Sequence, residues 1–482
     1  MTFPCEHSLS GHRPPGSFRD PSGYVFWRED RVFRAVSEDC LQIIGRLREA
    51  GLLSQLARGQ MIVATEVVED NALCQTLAAE HAGYDHFLEH EPLPAITYPY
   101  EWSVSMLADA GVHTIDLQLQ LLESGYSLKD ATAYNVQFVH GRPVFIDLGS
   151  IEQPQRLDIW FALGQFTQMF TLPLLLCRHY GWDPRSYFLA NLGGRTVQQA
   201  LRGLGWFGRW RPRVLWDVTL PALLTGWSDR RARPRQDRVE RRKTDTTSQV
   251  FNLRRLRRKI RKLSAGYSPR GVWSQYTRLC GYDEHAENAK KALVAEFLES
   301  TRPRRVLDLG CNTGDYSRLA AGCGAEVLAL DSDHDTIEVL YRQLRKAPAS
   351  ITPMVADLCN PSPGIGYLNR ERAPFLGRVE ADCVLALALA HHLLISGNLP
   401  ATAVRDLMLE MTRRDLVLEF VPRGDQMFQR LMRFRVDLFG DWTLPNCRHL
   451  FTQRFELLRE SPVPGTNRTL LFLRRRDCPL AE

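Results

Sequence analysis

The sequence predicts an α/β protein whose C-terminal half alternates short apolar strands with helices. Two observations support this prediction. The run R-V-L-D-L-G-C-N-T-G, residues 305–314, is typical of a buried strand that enters a glycine-bounded turn, and D-Y-S-R-L-A-A follows in helical composition. A second apolar run, E-V-L-A-L at 326–330, ends at Asp331. Strand, turn, helix and strand form a βαβ unit, which binds ligands at the carboxyl ends of its strands.

Length and composition are those of a globular protein of several domains. The 482 residues suffice for two to four domains, and 44% hydrophobic and 24% charged residues are ordinary values. The net charge of +6 is mild, so it permits nucleic acid as a partner without requiring it. No secretory signal is visible at residues 1–10, and the apolar run 160–177 contains polar residues and a proline, which favours a buried helix over a membrane span.

The cysteines favour a reducing compartment. There are 11, an odd number, without a C-x-x-C pair, so they predict neither a disulfide framework nor a zinc site. We therefore expect a cytoplasmic protein with reduced core thiols.

The glycine turn and the acidic strand ends form a candidate cofactor site. Gly310 and Gly314 let the backbone approach a ligand closely, and Asp331, about 20 residues further on, is placed to bind two ribose hydroxyls. A third strand, 351–356, ends at Asp357-Leu358, a pair suited to an adenine amino group and ring face. Asn312 occupies the second glycine position of G-x-G-x-x-G and no third glycine follows, which disfavours NAD.

About the last 200 residues resemble class I S-adenosylmethionine-dependent methyltransferases. The resemblance rests on the motif D-L-G-C-N-T-G and on the acidic ends of the next two strands. The resemblance implies a seven-stranded, doubly wound, Rossmann-like sheet, S-adenosyl-L-methionine as cofactor and no metal. It places Asp331 on the ribose, and Asp357 with Leu358 on the adenine. Around the methionine part it places Asp308 below the loop and these loop residues: Gly310, Cys311, Asn312 and Gly314. The alternative is a doubly wound domain without this ligand.

The predicted fourth and fifth strands bring further polar groups to the same edge. The fourth, 382–389, runs into His391 and His392, which are candidates for a general base or an acceptor-orienting pair. Alternatively, one histidine caps the next helix and the other packs on the cofactor. The fifth, 416–420, carries Glu419, which could bind an amine.

An antiparallel hairpin, 455–458 with 469–473, completes the predicted sheet. The phrases A-L-A-L-A-H-H-L and N-P-S-P-G-I-G are similar to bacterial nodulation-type methyltransferase-like proteins, a likeness that names no substrate.

The N-terminal half opens with a predicted hairpin, Y-V-F-W-R and R-V-F-R-A-V, and is expected to be α+β. Its polar residues Asp130, Asn135 and Asp147 follow the spacing D-x-x-x-x-N, hairpin, I-D-L-G. This pattern resembles the catalytic loop and metal-binding motif of kinase-like phosphotransferases over about residues 20–230. The resemblance implies that the first Asp orients an acceptor hydroxyl and that the other two residues hold magnesium.

Two parts of a kinase are missing from this half. Lys129 is the only lysine before position 230, and no glycine-rich phosphate loop is visible. Arg34 could lie near the place of the absent lysine, although a planar guanidinium is not an equivalent charge. A degenerate phosphotransferase-like scaffold is the preferred interpretation, with active phosphotransfer and an ordinary acidic hairpin as alternatives.

We expect four parts: a mobile leader (1–19), a kinase-like domain (20–228), an arginine-rich linker with an amphipathic helix (229–265) and a methyltransferase domain (266–482). The helix has apolar residues at helical spacing, namely Leu253, Leu256, Ile260 and Leu263. It could dock on a domain, or residues 230–262 could contact RNA or an acidic membrane. Trp273 and Tyr276 are candidate lid residues.

These observations predict a methyltransferase that acts on an unidentified small molecule or natural product, with the N-terminal domain serving substrate binding or support. The alternatives are an RNA methyltransferase recruited through the basic helix, a bifunctional kinase-like methyltransferase and a purely scaffolding protein. The acceptor and the oligomeric state stay open.

Overall fold

The computed structural model describes residues 16–17, 19–205, 208, 210, 214–215, 246–269 and 284–477. Two compact units are present, one from Met1–Leu93, Thr97–Phe138 and Pro143–Ser268, the other from Pro94–Ile96, Val139–Arg142 and Pro269–Glu482. Trp273, Tyr276, most of the predicted leader and the arginine run at 229–243 lie outside the described residues.

A four-stranded antiparallel sheet of order β1-β2-β4-β3 belongs to the first unit. Its strands are β1 (Gly23–Arg28), β2 (Arg31–Val36), β3 (Thr65–Val67) and β4 (His86–His90). The predicted hairpin is confirmed, with register from Gly23↔Val36 to Arg28↔Arg31. Strand β4 lies in a stretch to which the sequence assigned no element; its apolar Phe87 is buried against Phe26 and Phe33 on the core of this sheet.

Further short strands and helices lie mainly in the first unit, although residues 139–142 belong to the second. The strands are β5 (Ser127–Leu128), β6 (Val136–Val139), β7 (Arg142–Phe145) and β8 (Ile151–Glu152). The helices are α1 (Glu38–Glu49), α2 (Leu52–Arg58), α3 (Asn71–Glu80), α4 (Val104–Glu123), α5 (Leu163–Phe166), α6 (Leu172–Tyr180), α7 (Pro184–Phe188), α8 (Val197–Gly203) and α9 (Thr247–Ala265). A π-helical turn, Thr167–Thr171, joins α5 to α6, and the buried helix predicted there is confirmed. Across the described ranges, no helix is both long and apolar enough to cross a membrane.

Helix α9 is the amphipathic helix that the sequence predicted, and it docks on α4 of the same unit. Its residues Leu253, Ile260 and Leu263 are buried, whereas Leu256 is half-buried. The Arg257 guanidinium binds the Asp116 carboxylate of α4 through two nitrogens, at 2.6 and 2.7 Å. Of the three interpretations of this helix, the structure therefore supports docking.

The second unit contains a mixed sheet of seven strands in the order β11-β10-β9-β12-β13-β15-β14. The strands are β9 (Arg305–Leu309), β10 (Glu326–Asp331), β11 (Ile351–Val355), β12 (Ala381–Ala386), β13 (Thr412–Phe420), β14 (Phe455–Pro462) and β15 (Thr469–Arg475). The first five are parallel, and β14 and β15 are antiparallel to their neighbours. The predicted mixed α/β sheet and its final antiparallel hairpin are thus confirmed.

The fourth strand ends earlier than the sequence indicated. It was expected to reach Leu389, but β12 stops at Ala386. The backbone of Ala388 is left-handed, with φ 50°, which breaks the extended conformation before His391.

Helices alternate with these strands. They are α10 (Glu284–Thr301), α11 (Asp315–Gly322), α12 (His334–Lys346), α13 (Ala390–Ile395), α14 (Ala401–Met411), α15 (Gln426–Met432) and α16 (Leu444–Thr452). The strand order reverses between β9 and β12, since β10 lies on the other side of β9. In an open α/β sheet, ligands bind beyond the carboxyl ends of the strands at such a switch point.

Candidate functional site

The loop after β9 lies at this switch point and turns through three left-handed residues: Gly310 (φ 68°), Asn312 (φ 51°) and Gly314 (φ 87°). The φ of Gly314 favours glycine, and a Cβ atom there would also require the Leu340 side chain, 2.5 Å away, to shift. The Cys311 N–H donates to the Leu330 carbonyl at 2.8 Å, which fastens the loop to β10. The hydrogen bond to β10 therefore fixes the position of the loop, and its glycines leave room for a ligand to approach the backbone.

Asp331, the last residue of β10, binds the loop through its carboxylate. Oδ2 accepts the Asn312 N–H at 3.0 Å, and Oδ1 accepts the Asp333 N–H at 2.9 Å. Burial raises the pKa of Asp331 to about 6, although backbone hydrogen bonds from Asp333, Asn312 and Ser332 oppose this shift. A carboxylate has about four acceptor positions, so the backbone N–H groups of Asn312, Ser332 and Asp333 occupy most but not all of them. The ribose-binding role that the sequence suggests for Asp331 stays a prediction.

Asp308 and Cys311 support the loop from beneath. Asp308 is 2% exposed, and its Oδ2 accepts a hydrogen bond from Ser317 Oγ at 2.6 Å. Burial raises the pKa of Asp308 to about 6. The Cys311 side chain is also buried, and burial raises the pKa of its thiol. Both side chains hold the loop in place, and the backbone and Asn312 form its outer surface.

Asn312 has a buried polar atom without a partner. Its Oδ1 makes no hydrogen bond within the described part of the chain. Because a buried acceptor left unpaired costs about 1–3 kcal/mol, this atom indicates a place for a ligand donor.

Asp357 and Leu358 follow β11 on the next strand of the sheet. The half-buried Asp357 accepts the Cys359 N–H at 2.9 Å through Oδ1, and Leu358 is 8% exposed. The Ala356 N–H donates to the Asp331 carbonyl at 2.9 Å, so the ends of β10 and β11 are joined. The structure thus brings the predicted cofactor residues of three strands to one edge.

His391 and His392 lie at the start of α13, just beyond β12, with ring centroids 4.3 Å apart. His391 is 1% exposed, and neither of its ring nitrogens has a hydrogen-bond partner among the residues described. Burial, together with the charges of His392 and Arg468, lowers the pKa of His391 well below its ordinary value. Burial and Arg468 lower the pKa of His392 to about 4. Both rings are neutral at pH 7 and are weaker bases than the ordinary value of about 6.5 predicts.

A buried ion network that the sequence analysis missed lies at the same edge. Lys290 of α10 binds Glu419 of β13 at 2.5 Å, and Arg468 binds Glu419 at 3.2 Å and Asp425 at 2.8 Å. The Lys290 ammonium also lies 4.9 Å from the centre of the Tyr316 ring. Glu419, which the sequence analysis assigned to an amine ligand, has two cations of the chain itself as partners. No local motif could reveal this network, because its members come from distant segments.

In the first unit, the structure brings two of the three predicted kinase-like residues into contact. Asn135 Nδ2 donates to Asp147 Oδ2 at 3.1 Å, and Arg34 Nη1 donates to Asp147 Oδ1 at 2.7 Å. Asp130 accepts from Gln165 at 3.5 Å, and its pKa is raised by burial and by the charge of Asp147. Within the described ranges, no group of three or more His, Cys, Asp or Glu side chains could hold a metal ion.

Solved structures similar to part of this chain include three methyltransferases. Magnesium protoporphyrin IX methyltransferase from Synechocystis PCC 6803 with bound SAM is 16% identical, with 43% of this chain and 86% of that chain covered and a TM-score of 0.28. N-methyltransferase NodS from Bradyrhizobium japonicum WM9 is 12% identical, with 40% and 98% covered and a TM-score of 0.30. The bifunctional kinase-methyltransferase WbdD is 17% identical, with 43% of each chain covered and a TM-score of 0.30. At these TM-scores the similarity carries no conclusion about this chain.

No protein-family model matches the sequence. A curated relative does match over almost the full length: nodulation protein NoeA of Rhizobium meliloti (strain 1021) is 32% identical over 478 residues, which cover 96% of each chain. This similarity spans both units and the segment that connects them. The chain therefore belongs to the family of nodulation protein NoeA.

Proposed function

We propose that this NoeA-family chain is an S-adenosyl-L-methionine-dependent methyltransferase that acts on a small-molecule acceptor. The observation that carries the proposal is the position of Asp331 at the switch point of the sheet. Its carboxylate accepts the Asn312 N–H of the glycine loop at 3.0 Å, and its four acceptor positions exceed the backbone N–H groups that it receives from Asn312, Ser332 and Asp333. A glycine loop beside such a carboxylate suits an adenosyl cofactor.

The cofactor assignments follow the residues around this loop. Asp331 would hold the ribose, Asp357 the adenine amino group, and Leu358 the ring face. The methionine part would lie along the loop of Gly310, Cys311, Asn312 and Gly314, where the unpaired Asn312 Oδ1 is suited to accept from its ammonium group. The bound cofactor supplies an electrophilic methyl group on a sulfonium centre, and the site needs no metal. The proposed fold of residues 266–482 is doubly wound and Rossmann-like.

His391 and His392 are the proposed acceptor-side residues. The two unpaired ring nitrogens of His391 are buried, so an acceptor hydroxyl or amine is a suitable partner for one of them. The lowered pKa of His391 keeps the imidazole neutral at pH 7, ready to accept a hydrogen bond from the acceptor and to orient it. Arg468, held by Glu419 and Asp425, disfavours a lasting imidazolium, so a proton taken from the acceptor would be released again.

We propose that the first unit supports the enzyme or binds its substrate. The division into a leader at 1–19, a kinase-like domain at 20–228, a basic linker with helix at 229–265 and a methyltransferase domain at 266–482 is part of this proposal. An RNA contact through residues 230–262 and a cytoplasmic location stay predictions.

Calorimetric titration of S-adenosyl-L-methionine into the full-length protein tests the proposal. We expect binding of one molecule per chain and an increase in unfolding temperature with cofactor concentration, since a ligand that binds only the native state stabilises it. NAD is the control ligand, because the loop lacks the glycines of the dinucleotide fingerprint. Absence of heat and of thermal stabilisation with both S-adenosyl-L-methionine and S-adenosyl-L-homocysteine would refute the cofactor assignment.

A further inference from the structure

Besides the Lys290–Glu419–Arg468 network, a second buried polar cluster lies in the first unit. The proposed methyl transfer does not involve its residues. At its centre is Arg34 of β2, which is 3% exposed. Nη1 donates to Asp147 Oδ1 at 2.7 Å, and Nη2 forms an ion pair with Asp20. One guanidinium thus joins two carboxylates that are far apart in sequence. A buried arginine needs such partners, because an uncompensated charge is very costly in the interior.

Gly149 makes space for this arrangement. A Cβ atom at position 149 would overlap Arg34 Nη2 and would lie 3.1 Å from Asp20 Oδ2. The glycine of the I-D-L-G sequence is therefore needed where the guanidinium packs against the chain. Its φ is not left-handed, so close packing and not backbone conformation explains the glycine.

Both carboxylate oxygens of Asp147 are engaged within the protein. Oδ1 accepts from Arg34, and Oδ2 accepts from the Asn135 amide nitrogen at 3.1 Å. A magnesium ion would require oxygen ligands at about 2.0–2.1 Å with near-octahedral geometry. Here the Asn135 group beside Asp147 is a donor, and a permanent positive charge already lies against Oδ1. The Arg34 guanidinium and a divalent ion are both positively charged and would repel each other at this distance. Asp147 therefore cannot bind a divalent ion while Arg34 stays in place.

Lys129 lies on the other side of Asp20. Its Nζ donates to Ser22 Oγ at 2.9 Å and lies 4.0 Å from Asp20 Oδ1. Asp20 is thus shared between two cations of the chain, which further reduces its attraction for a metal ion.

From this geometry we infer that Arg34 is the resident cation of the Asp20–Asp147 site, in the place where the kinase resemblance implies magnesium. The first unit then binds neither a divalent ion nor a metal-nucleotide complex through Asp147, and the bifunctional alternative does not apply to this chain. The site keeps the acidic residues of a phosphotransferase and satisfies them internally. This inference is independent of the proposed methyl transfer.

Manganese titration into the full-length protein, followed by electron paramagnetic resonance of the free ion, tests the inference. The wild type is expected to show no Asp147-dependent site. Arg34→Met removes the resident charge and leaves Asp20 and Asp147 facing each other, so this variant is expected to bind manganese at least about tenfold more tightly than the wild type. Arg34→Lys retains a positive charge and is the matched control, with no gain in binding. The double variant Arg34→Met, Asp147→Asn is expected to lose the gain.

Two results would overturn the inference. One is manganese or magnesium–ATP binding by the wild type that Asp147→Asn abolishes. The other is a folded Arg34→Met protein that binds manganese no more tightly than the wild type. If Arg34→Met does not fold, the comparison of wild type with Asp147→Asn decides, because equal, absent binding in both supports the inference and a difference refutes it.

Discussion

Asp331→Asn is the substitution that tests the proposed cofactor site most directly. The carboxylate accepts two backbone hydrogen bonds, at 3.0 Å from Asn312 and 2.9 Å from Asp333. An asparagine keeps one carbonyl oxygen and replaces the other with a donor, so the side chain has too few acceptor positions for the backbone N–H groups and the ribose together. The variant therefore loses one backbone hydrogen bond as well as acceptor capacity for the ligand.

The expected loss follows from the hydrogen bonds removed. A hydrogen bond to a charged group contributes about 1.5–3 kcal/mol, and asparagine retains part of the acceptor capacity, so we expect a loss of about 2–3 kcal/mol. That corresponds to about 30- to 150-fold weaker binding of S-adenosyl-L-methionine. Because the pKa of Asp331 is raised to about 6, wild-type affinity is expected to fall as pH drops below 6 and the carboxylate becomes protonated. The Asn variant has no such dependence from this residue.

Calorimetry at pH 7.5 with S-adenosyl-L-methionine measures the effect, and Asp382→Asn is the control for the loss of a carboxylate charge. Asp382 also accepts two backbone N–H groups, from Arg304 and Arg305 at 3.0 Å each, but it lies at the amino end of β12. This variant is expected to bind the cofactor like the wild type. An affinity for Asp331→Asn within about twofold of the wild type, or an equal loss in both variants, would contradict the ribose assignment.

Three further predictions concern stability. Glu419→Gln removes the 0% exposed carboxylate that binds Lys290 and Arg468, and it is expected to cost about 3–5 kcal/mol in urea unfolding. A cost below about 1 kcal/mol would show that the network contributes little. The pKa of Asp308 is raised to about 6 in the folded protein, compared with about 3.9 in the unfolded chain. Its contribution to the free energy of unfolding is therefore fully present below pH 4 and is lost as pH rises through 6. Asp308→Asn should therefore gain about 2–3 kcal/mol relative to wild type between pH 4 and 8, and parallel stability curves would contradict this. Ile260→Ala, at a 0% exposed position of the docked helix, is expected to cost about 2–5 kcal/mol, whereas Phe251→Ala, 60% exposed on the same helix, should be nearly neutral; equal effects would argue against docking.

Local patterns made the sheet and its loop predictable. Each parallel strand contains a short apolar run, and the hydrophobic period and the turn chemistry are encoded within a few residues. Asp331 and Asn312 are 19 positions apart, within one βαβ unit, so their meeting follows from the topology of that unit. Spacing alone also brought Asn135 and Asp147 together, since a hairpin returns the chain to its starting point.

Charges and contacts from distant segments were not predictable in the same way. The sequence suggested that Glu419 was available to an amine, but its environment depends on Lys290 and Arg468, which approach only in the folded chain. The basicity of His391 was overestimated for the same reason, because burial and the nearby Arg468 lower its pKa. The fourth strand was predicted too long, since its apolar composition continues past the left-handed Ala388.

By itself, the sequence determined the mixed sheet of the second unit, the glycine loop and the acidic residues after the strands. It also determined the amphipathic helix that follows the arginine-rich linker. All of these features depend on residues that are close in the sequence. Only the tertiary structure decided which charges neutralise one another. Arg34 is the clearest case: its position in a strand allowed several roles, and folding placed Asp20, Asp147 and Gly149 around it. Electrostatic partnership depends on distance and burial in space, and one-dimensional spacing does not contain either quantity.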